Sequence, residues 1–318
     1  MEANLWAATF VKNLFLRIKL TFFFGLVALL ALPVLGEQVT PSTLIETFPV
    51  NSPGGITFDG NDIWVVNELD NTVTKLRGSD GTILGVFLVG SLFGFATFDG
   101  NSIWVVNVAD DNVTKLRTSD GAPLGTFPVG DNPQGILFDG NNIWVANFFS
   151  DSVTKLRASD GTLLGTFPVE DAAVGLAYDG TDIWVTVSGG ISRLRASDGT
   201  LVGSRTLPNV TGGIVFDGNN MWVSSANDIL IVLRTRNAKV LATVPVGDYP
   251  NAITFDGSKI WVVNSNDDTV MRLNDHTGTI RDVYRVGDFP SALVFDGTSL
   301  WVSNHQSNTV SKITPTQP

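Results

Sequence analysis

Residues 135–169 read GILFDGNNIWVANFFSDSVTKLRASDGTLLGTFPV, and the reading of this stretch decides the fold. Its anchor is Phe138-Asp139-Gly140, followed by Trp144. Edited copies of the triplet begin at Phe58, Phe98, Tyr178, Phe216, Phe255 and Phe295, with tryptophans at Trp64, Trp104, Trp184, Trp222, Trp261 and Trp301. Successive triplets lie 40, 40, 40, 38, 39 and 40 residues apart, so the unit occurs seven times. A period near 40 residues that is rich in strand signals marks a propeller or a similar array.

Within the unit four short runs carry branched or aromatic residues: a (135–138), b (143–147), c (152–157) and d (163–169). Asp139-Gly140 is expected to turn a into b, because Gly accepts positive φ and Asp bonds its own backbone. Ser159-Asp160-Gly161 joins c to d by the same device. The apolar runs are nearly continuous, as in IWVVN and ILIVL, which suits blades covered on both faces. The seven tryptophans read as a packing layer between blades, with an aromatic ligand cage as the alternative. Lys75, Lys115 and Lys155, with Arg77, Arg117 and Arg157, read as solvated edges or inter-blade ion pairs.

The copies are permuted. Residues 44–50, LIETFPV, match LLGTFPV at 163–169, the end of a unit, yet they precede the first complete copy. The last copy stops near Thr314, before that segment would occur. An N-terminal strand that completes the last blade closes a ring, and closure removes exposed sheet edges. The expected fold is therefore all-β: a seven-bladed β-propeller of four-stranded antiparallel blades over residues 43–314, with a linker at 37–42 and a disordered tail at 315–318.

Residues 1–36 differ from the rest. Lys12, Arg17 and Lys19 precede an apolar run from Leu20 to Leu35, and Val34 and Gly36 fit the −3 and −1 positions of a cleavage site before Glu37. This is the layout of a secretory signal peptide. An uncleaved membrane anchor over residues 12–35 is the alternative, although the run is shorter than the roughly 20 residues a spanning helix needs. The expected location is secreted or periplasmic, with membrane contact only through this segment if it stays attached. The chain has no cysteine, which excludes disulfides, thiolate metal sites and a lipidated N-terminal cysteine. Its net charge is −11, and removal of residues 1–36 takes away three bases and one acid to leave −13. Nucleic acid is not an expected partner of so acidic a chain.

The copies vary chiefly at one end; the c–d turns, GSDG, TSDG, ASDG and ASDG, are uniform in the first four copies. The a–b turns are nearly constant: FDGN, FDGN, FDGN, YDGT, FDGN, FDGS, FDGT. The b–c loops read NELDNT, NVADDN, NFFSDS, VSGG, SANDI, NSNDDT and NHQSNT, and the d–a connections vary as much. In an up-and-down blade these two variable connections share a face, the arrangement of a binding surface on a rigid scaffold. Candidate binding residues there are Asn67, Asn107, Asn147, Phe148, Phe149, Asp131, Asp248, Tyr249, Asn264, Asp288, Phe289, Asn304 and His305, toward a protein, peptide or glycan. The face is acidic, with Glu68, Asp70, Asp110, Asp111, Asp131, Asp151, Glu170, Asp171, Asp228, Asp248, Asp267, Asp268 and Asp288 in its loops. These suit either a divalent cation such as calcium or magnesium, or Asx turns; no loop has the spacing of a dedicated calcium site, and no metal ligand is assigned.

Catalytic patterns are sparse. There are two histidines, His276 in the uniform turn of the sixth copy and His305 in the variable loop of the seventh. His305 is the one weak candidate for a general base. No GxSxG, HExxH or P-loop pattern occurs.

The unit FDGxxIWVxNxxxxxVTKLRxSDGxxLGTFPVG resembles bacterial seven-bladed propellers of the YVTN-repeat and NHL-like type, and is similar to the streptogramin B (virginiamycin B) lyase superfamily over residues 43–314. The resemblance implies a propeller used as a secreted binding module, surface protein or sensor ectodomain, and in the lyases a magnesium-assisted ring opening by a His and Glu cluster near the channel. After residue 36 the glutamates are Glu37, Glu46, Glu68 and Glu170, with none close to His305 in sequence, so no catalytic residue carries over. The expectation is a non-enzymatic binding propeller, with a lyase or hydrolase at the channel mouth as the alternative.

Overall fold

A computed structural model describes residues 44–90 and 94–315. The leader at 1–36, the linker at 37–42, Phe93 and residues 316–318 of the tail lie outside the described residues. The chain forms seven four-stranded antiparallel sheets arranged in a ring. One short 3-10 turn, Val108–Asp110, is the sole helical element among the described residues. No described helix is long and apolar enough to cross a membrane. The third blade runs Pro133–Phe138, Asn142–Asn147, Ser152–Arg157 and Leu163–Pro168, within two residues of the expected strands.

The ring closes as the permuted repeat requires. Leu44–Pro49 pairs antiparallel with Thr309–Thr314, from Leu44 opposite Thr314 to Pro49 opposite Thr309, and so becomes the outer strand of the seventh blade. Each inner strand packs against the inner strands on either side, including Pro53–Phe58 of the first blade against Pro290–Phe295 of the seventh.

One latch, repeated seven times, explains the constancy of the FDG turn. The Asp accepts the indole N–H of the Trp five residues on, at 2.6–2.8 Å in every blade. Its other oxygen accepts two backbone N–H groups of the turn, as in Asp139 from Asn141 at 2.8 Å and Asn142 at 2.7 Å. The glycine between them has φ near +99° at Gly140, which a side chain would strain. The seven tryptophans are at most 1 % exposed, so they are the packing layer and not a ligand cage.

Neighbouring blades are tied through the same indoles. Lys75, Lys115, Lys155, Arg193, Arg272 and Lys312 place their cations 4.7–5.4 Å from the Trp ring centres of their own blades. The lysines reach on to the c–d turn of the next blade: Lys155 Nζ donates to the Ala196 carbonyl at 2.6 Å, and Lys312 Nζ closes the circle on Gly78 and Ser79, each at 2.9 Å. These lysines are inter-blade ties to carbonyls. Arg77, Arg117 and Arg157 stay on the surface and pair with Asp80, Asp120 and Asp160 of their own turns. Outer-strand Phe87, Phe127 and Phe167 pack on Trp64, Trp104 and Trp144 at 5.2–5.8 Å.

The inner strands surround an axial cavity of about 200 Å³, lined by Ile56, Ala96, Ile136, Leu176, Ile214, Ile253 and Leu293, one from each blade. The near-constant a–b turns and the c–d turns, uniform in the first four blades, form one face of the ring. The b–c loops and d–a connections form the other.

Candidate functional site

The loop face rests on a repeated frame. Asn67, Asn107, Asn147, Asn264 and Asn304, each the last residue of a b strand, are at most 3 % exposed. Asn147 Nδ2 donates to Ser152 Oγ at 3.1 Å and Thr154 Oγ1 at 2.9 Å, and its Oδ1 accepts Gly130 N–H at 3.1 Å. Asn107 and Asn264 hold Gly90 and Gly247 in the same way. All five candidates thus sit beneath the loops with their Nδ2 groups bonded to the adjacent c strand. Asn107, Asn147 and Asn264 also hold the incoming connection, whereas the buried Oδ1 atoms of Asn67 and Asn304 have no partner among the described residues.

The acidic loops carry a second tie. Asp111 Oδ1 accepts Asn132 N–H at 2.8 Å, Asp151 Oδ1 accepts Ala172 N–H at 2.8 Å, Asp228 Oδ1 accepts Tyr249 N–H at 3.3 Å, and Asp268 Oδ1 accepts Phe289 N–H at 2.9 Å. Asn308 does the same for Ser52 across the ring seam. In every case the b–c loop of one blade caps the connection entering the next. The capped residues all have positive φ, 54° at Tyr249 and 50° at Phe289. Left-handed backbone is uncommon in bulky residues, and such strain persists where surrounding structure imposes it. The cap therefore fixes where Tyr249 and Phe289 leave the surface, while Asp248 and Asp288 just before them are exposed.

The remaining candidates point outward from this frame. Phe149 is 67 % exposed, and its ring meets Phe148 edge-on at 5.2 Å. Asp131 is exposed, its backbone held by Ser150 Oγ at 2.6 Å. Burial raises the Tyr249 hydroxyl pKa, which marks a half-covered ring.

At the seam between the seventh and first blades the structure makes a contact that sequence proximity did not suggest. His305 Nδ1 lies 3.2 Å from Glu68 Oε2. Both follow a strand-ending asparagine, and each backbone N–H bonds the connection entering its own blade: Glu68 to Ser52, His305 to Phe289. The Glu68 side chain lies over Gly54, where any larger residue would displace it. Burial pushes its carboxyl up to about 7. Residues in the equivalent place in the other blades are Val108, Phe148, Ser188, Ala226 and Ser265, so one pair of titratable side chains interrupts an otherwise neutral set. Among the described residues no three His, Asp or Glu side chains are grouped to hold a metal ion. His276 is in the c–d turn of the sixth blade, on the opposite face, paired with Asp275 at 2.8 Å.

With this geometry in view, comparison with known proteins places the architecture. The chain is similar in structure to Kuenenia stuttgartiensis hydrazine synthase, with a TM-score of 0.73, 18 % identity, and coverage of 84 % of this chain and 96 % of that one. The likeness is one of fold. No protein-family model matches the chain. No curated protein matches it in sequence either.

Proposed function

We propose that this propeller is a non-enzymatic binding module that takes a protein, peptide or glycan on the face built from the b–c loops and d–a connections. The observation that carries the reading is the contrast between the two faces. One is a ring of near-identical turns closed by the same Asp–Trp latch. The other sets different outward side chains on one repeated backbone frame, the division of labour expected of recognition loops on a rigid scaffold. Phe149, Tyr249 and Phe289 supply aromatic surface in fixed positions, which suits sugar faces and apolar peptide side chains. Glu68 and His305 supply a recessed polar contact, and Asp131, Asp248 and Asp288 favour a neutral or basic ligand over an anionic one. Kinship with YVTN-repeat and NHL-like propellers, and export directed by residues 1–36, belong to the same proposal. They rest on the repeat unit and on the leader composition.

The test is an exchange of loops. Replacing 148–152 and 248–251 with the corresponding segments of the first blade, 68–72 and 51–54, leaves Asn147 and Asp228 in place and changes the outward side chains. It puts Asn where Asp151 makes its cap, the residue type that caps Ser52 at Asn308. Binding to a peptide or glycan recovered from an array is expected to fall at least tenfold. Unchanged affinity for every recovered ligand would exclude this face.

A further inference from the structure

Every outer strand of a propeller is an open sheet edge, and six of the seven are guarded here. In each outer strand the residue after the sixth position donates its N–H to the adjacent strand, as Val89 does to Asn71, Val129 to Asp111, Val169 to Asp151 and Val246 to Asp228. Alternation then turns the sixth residue's own N–H outward, toward the free edge. That sixth residue is proline in four blades, Pro49, Pro128, Pro168 and Pro245, so the outward donor is missing. The other two guarded strands carry charge: Arg205 in Leu201–Thr206, and Arg281, Asp282 and Arg285 in Ile280–Arg285. The outer strand of the first blade, Ile83–Leu88, reads ILGVFL. It has neither proline nor charge, and Val86 and Leu88 are 55 % and 78 % exposed.

We propose that this edge pairs with its own copy in a second molecule, making a two-fold dimer with a sheet continuous across the interface. A second copy is the occupant the strand fits. The chain carries a net charge of −11, so a contact between two copies adds least repulsion where the patch is uncharged, and a two-fold contact sets each side chain against itself or a near neighbour. A strand such as Leu44–Pro49 would bring Glu46 close to its mate, whereas ILGVFL brings only apolar groups. Two-fold pairing must match residues of like parity. An axis at Val86 sets Val86 against Val86, exchanging both outward hydrogen bonds, and sets Leu88 beside Leu84 of the partner.

The experiment is sedimentation equilibrium of the full chain at micromolar concentrations, with Leu88→Pro and, as a control, Thr166→Lys at the equivalent of Val86 in the third blade. Leu88→Pro installs what four other blades already carry, so the variant is expected to fold. The proposal predicts that the wild type and Thr166→Lys approach twice the monomer mass and that Leu88→Pro stays monomeric. Because the chain has no cysteine, Val86→Cys adds a direct readout: oxidation is expected to give a covalent dimer faster than it does for Thr166→Cys. A monomeric wild type overturns the proposal. So does a Leu88→Pro dimer as stable as the wild type, or equal cross-linking at the two cysteines.

Discussion

At the residue scale, the Asp of the FDG turn does most to explain the repeat. Asp139 is pulled two ways: burial raises its carboxyl pKa, while the Trp144 indole and the Asn141 and Asn142 amides lower it, and the lowering wins. The carboxylate is thus the form the turn is built around. Asp139→Ala removes a charge-assisted bond to an indole and two bonds to the turn, and is expected to cost about 2–4 kcal/mol in urea unfolding. Glu68 behaves in the opposite sense. The folded chain keeps its proton up to about pH 7, while the unfolded chain releases it near 4.5. Its contribution to stability therefore falls as pH rises from about 4.5 to about 7 and is flat beyond. Glu68→Gln is expected to be more stable than the wild type at pH 8, by about 1–3 kcal/mol, and nearly equal to it at pH 4.5. An equal difference at both pH values would show that the raised carboxyl is not the cause.

How far single residues could be read from sequence depended on repetition. The Asp-Gly turn and the Trp layer were legible because Asp and Trp recur together seven times, five residues apart, but the bond that joins them came only with the structure. Strand-ending asparagines recur in five of the seven blades, yet sequence alone does not separate an amide facing solvent from one turned inward. Their burial came from strand register, which places Asn147 opposite Ser152 and Pro133. The contact of Glu68 with His305 lies between residues from the two ends of the chain. Only ring closure brings them together, and no local pattern could announce it.

At the element scale, strand Leu44–Pro49 is the closing piece. It covers the edge of Thr309–Thr314 and stacks Phe48 on Trp301 at 5.5 Å. A chain beginning after residue 50 would expose that edge, and it is expected to aggregate or to lose its single cooperative transition, as judged by light scattering and thermal unfolding. The permuted LIETFPV segment revealed this role in advance, since a fragment lacking its partner at one end had its complement at the other. The lysine series was less legible. A Lys in the third strand of four blades resembles a solvated stripe, and only the ring shows each one crossing to the next blade. Lys155→Met would keep the apolar stem over Trp144 and remove the bonds to Ala196 and Ser197. It is expected to lower stability by about 1–3 kcal/mol in the same urea assay. Loss of no more than a few tenths would mean that the tie contributes little.

At the scale of the whole molecule, one repeat does two jobs at its two ends. The Asp–Trp latch, the lysine ties and the outer-strand aromatics lock neighbouring blades, and they leave the opposite connections free to differ. Four of the acidic residues there, Asp111, Asp151, Asp228 and Asp268, are spent as caps from one blade to the next. Outward side chains that differ from blade to blade include Phe149, Tyr249, Phe289 and the pair Glu68 and His305. The ring and its repeated Asp-Gly turns were legible from sequence because they repeat. The recognition chemistry was not, because each loop is a single instance whose outward side chains depend on caps made by the preceding blade. The most direct measurement of the central claim is a hydrogen–deuterium exchange footprint of the protein with the strongest peptide or glycan binder recovered from an array. The account predicts slowed exchange at 148–152, 248–251 and 288–291, with the turns at 139–142 and 158–162 unaffected. Protection confined to those turns, or an array with no binder at all, would contradict it.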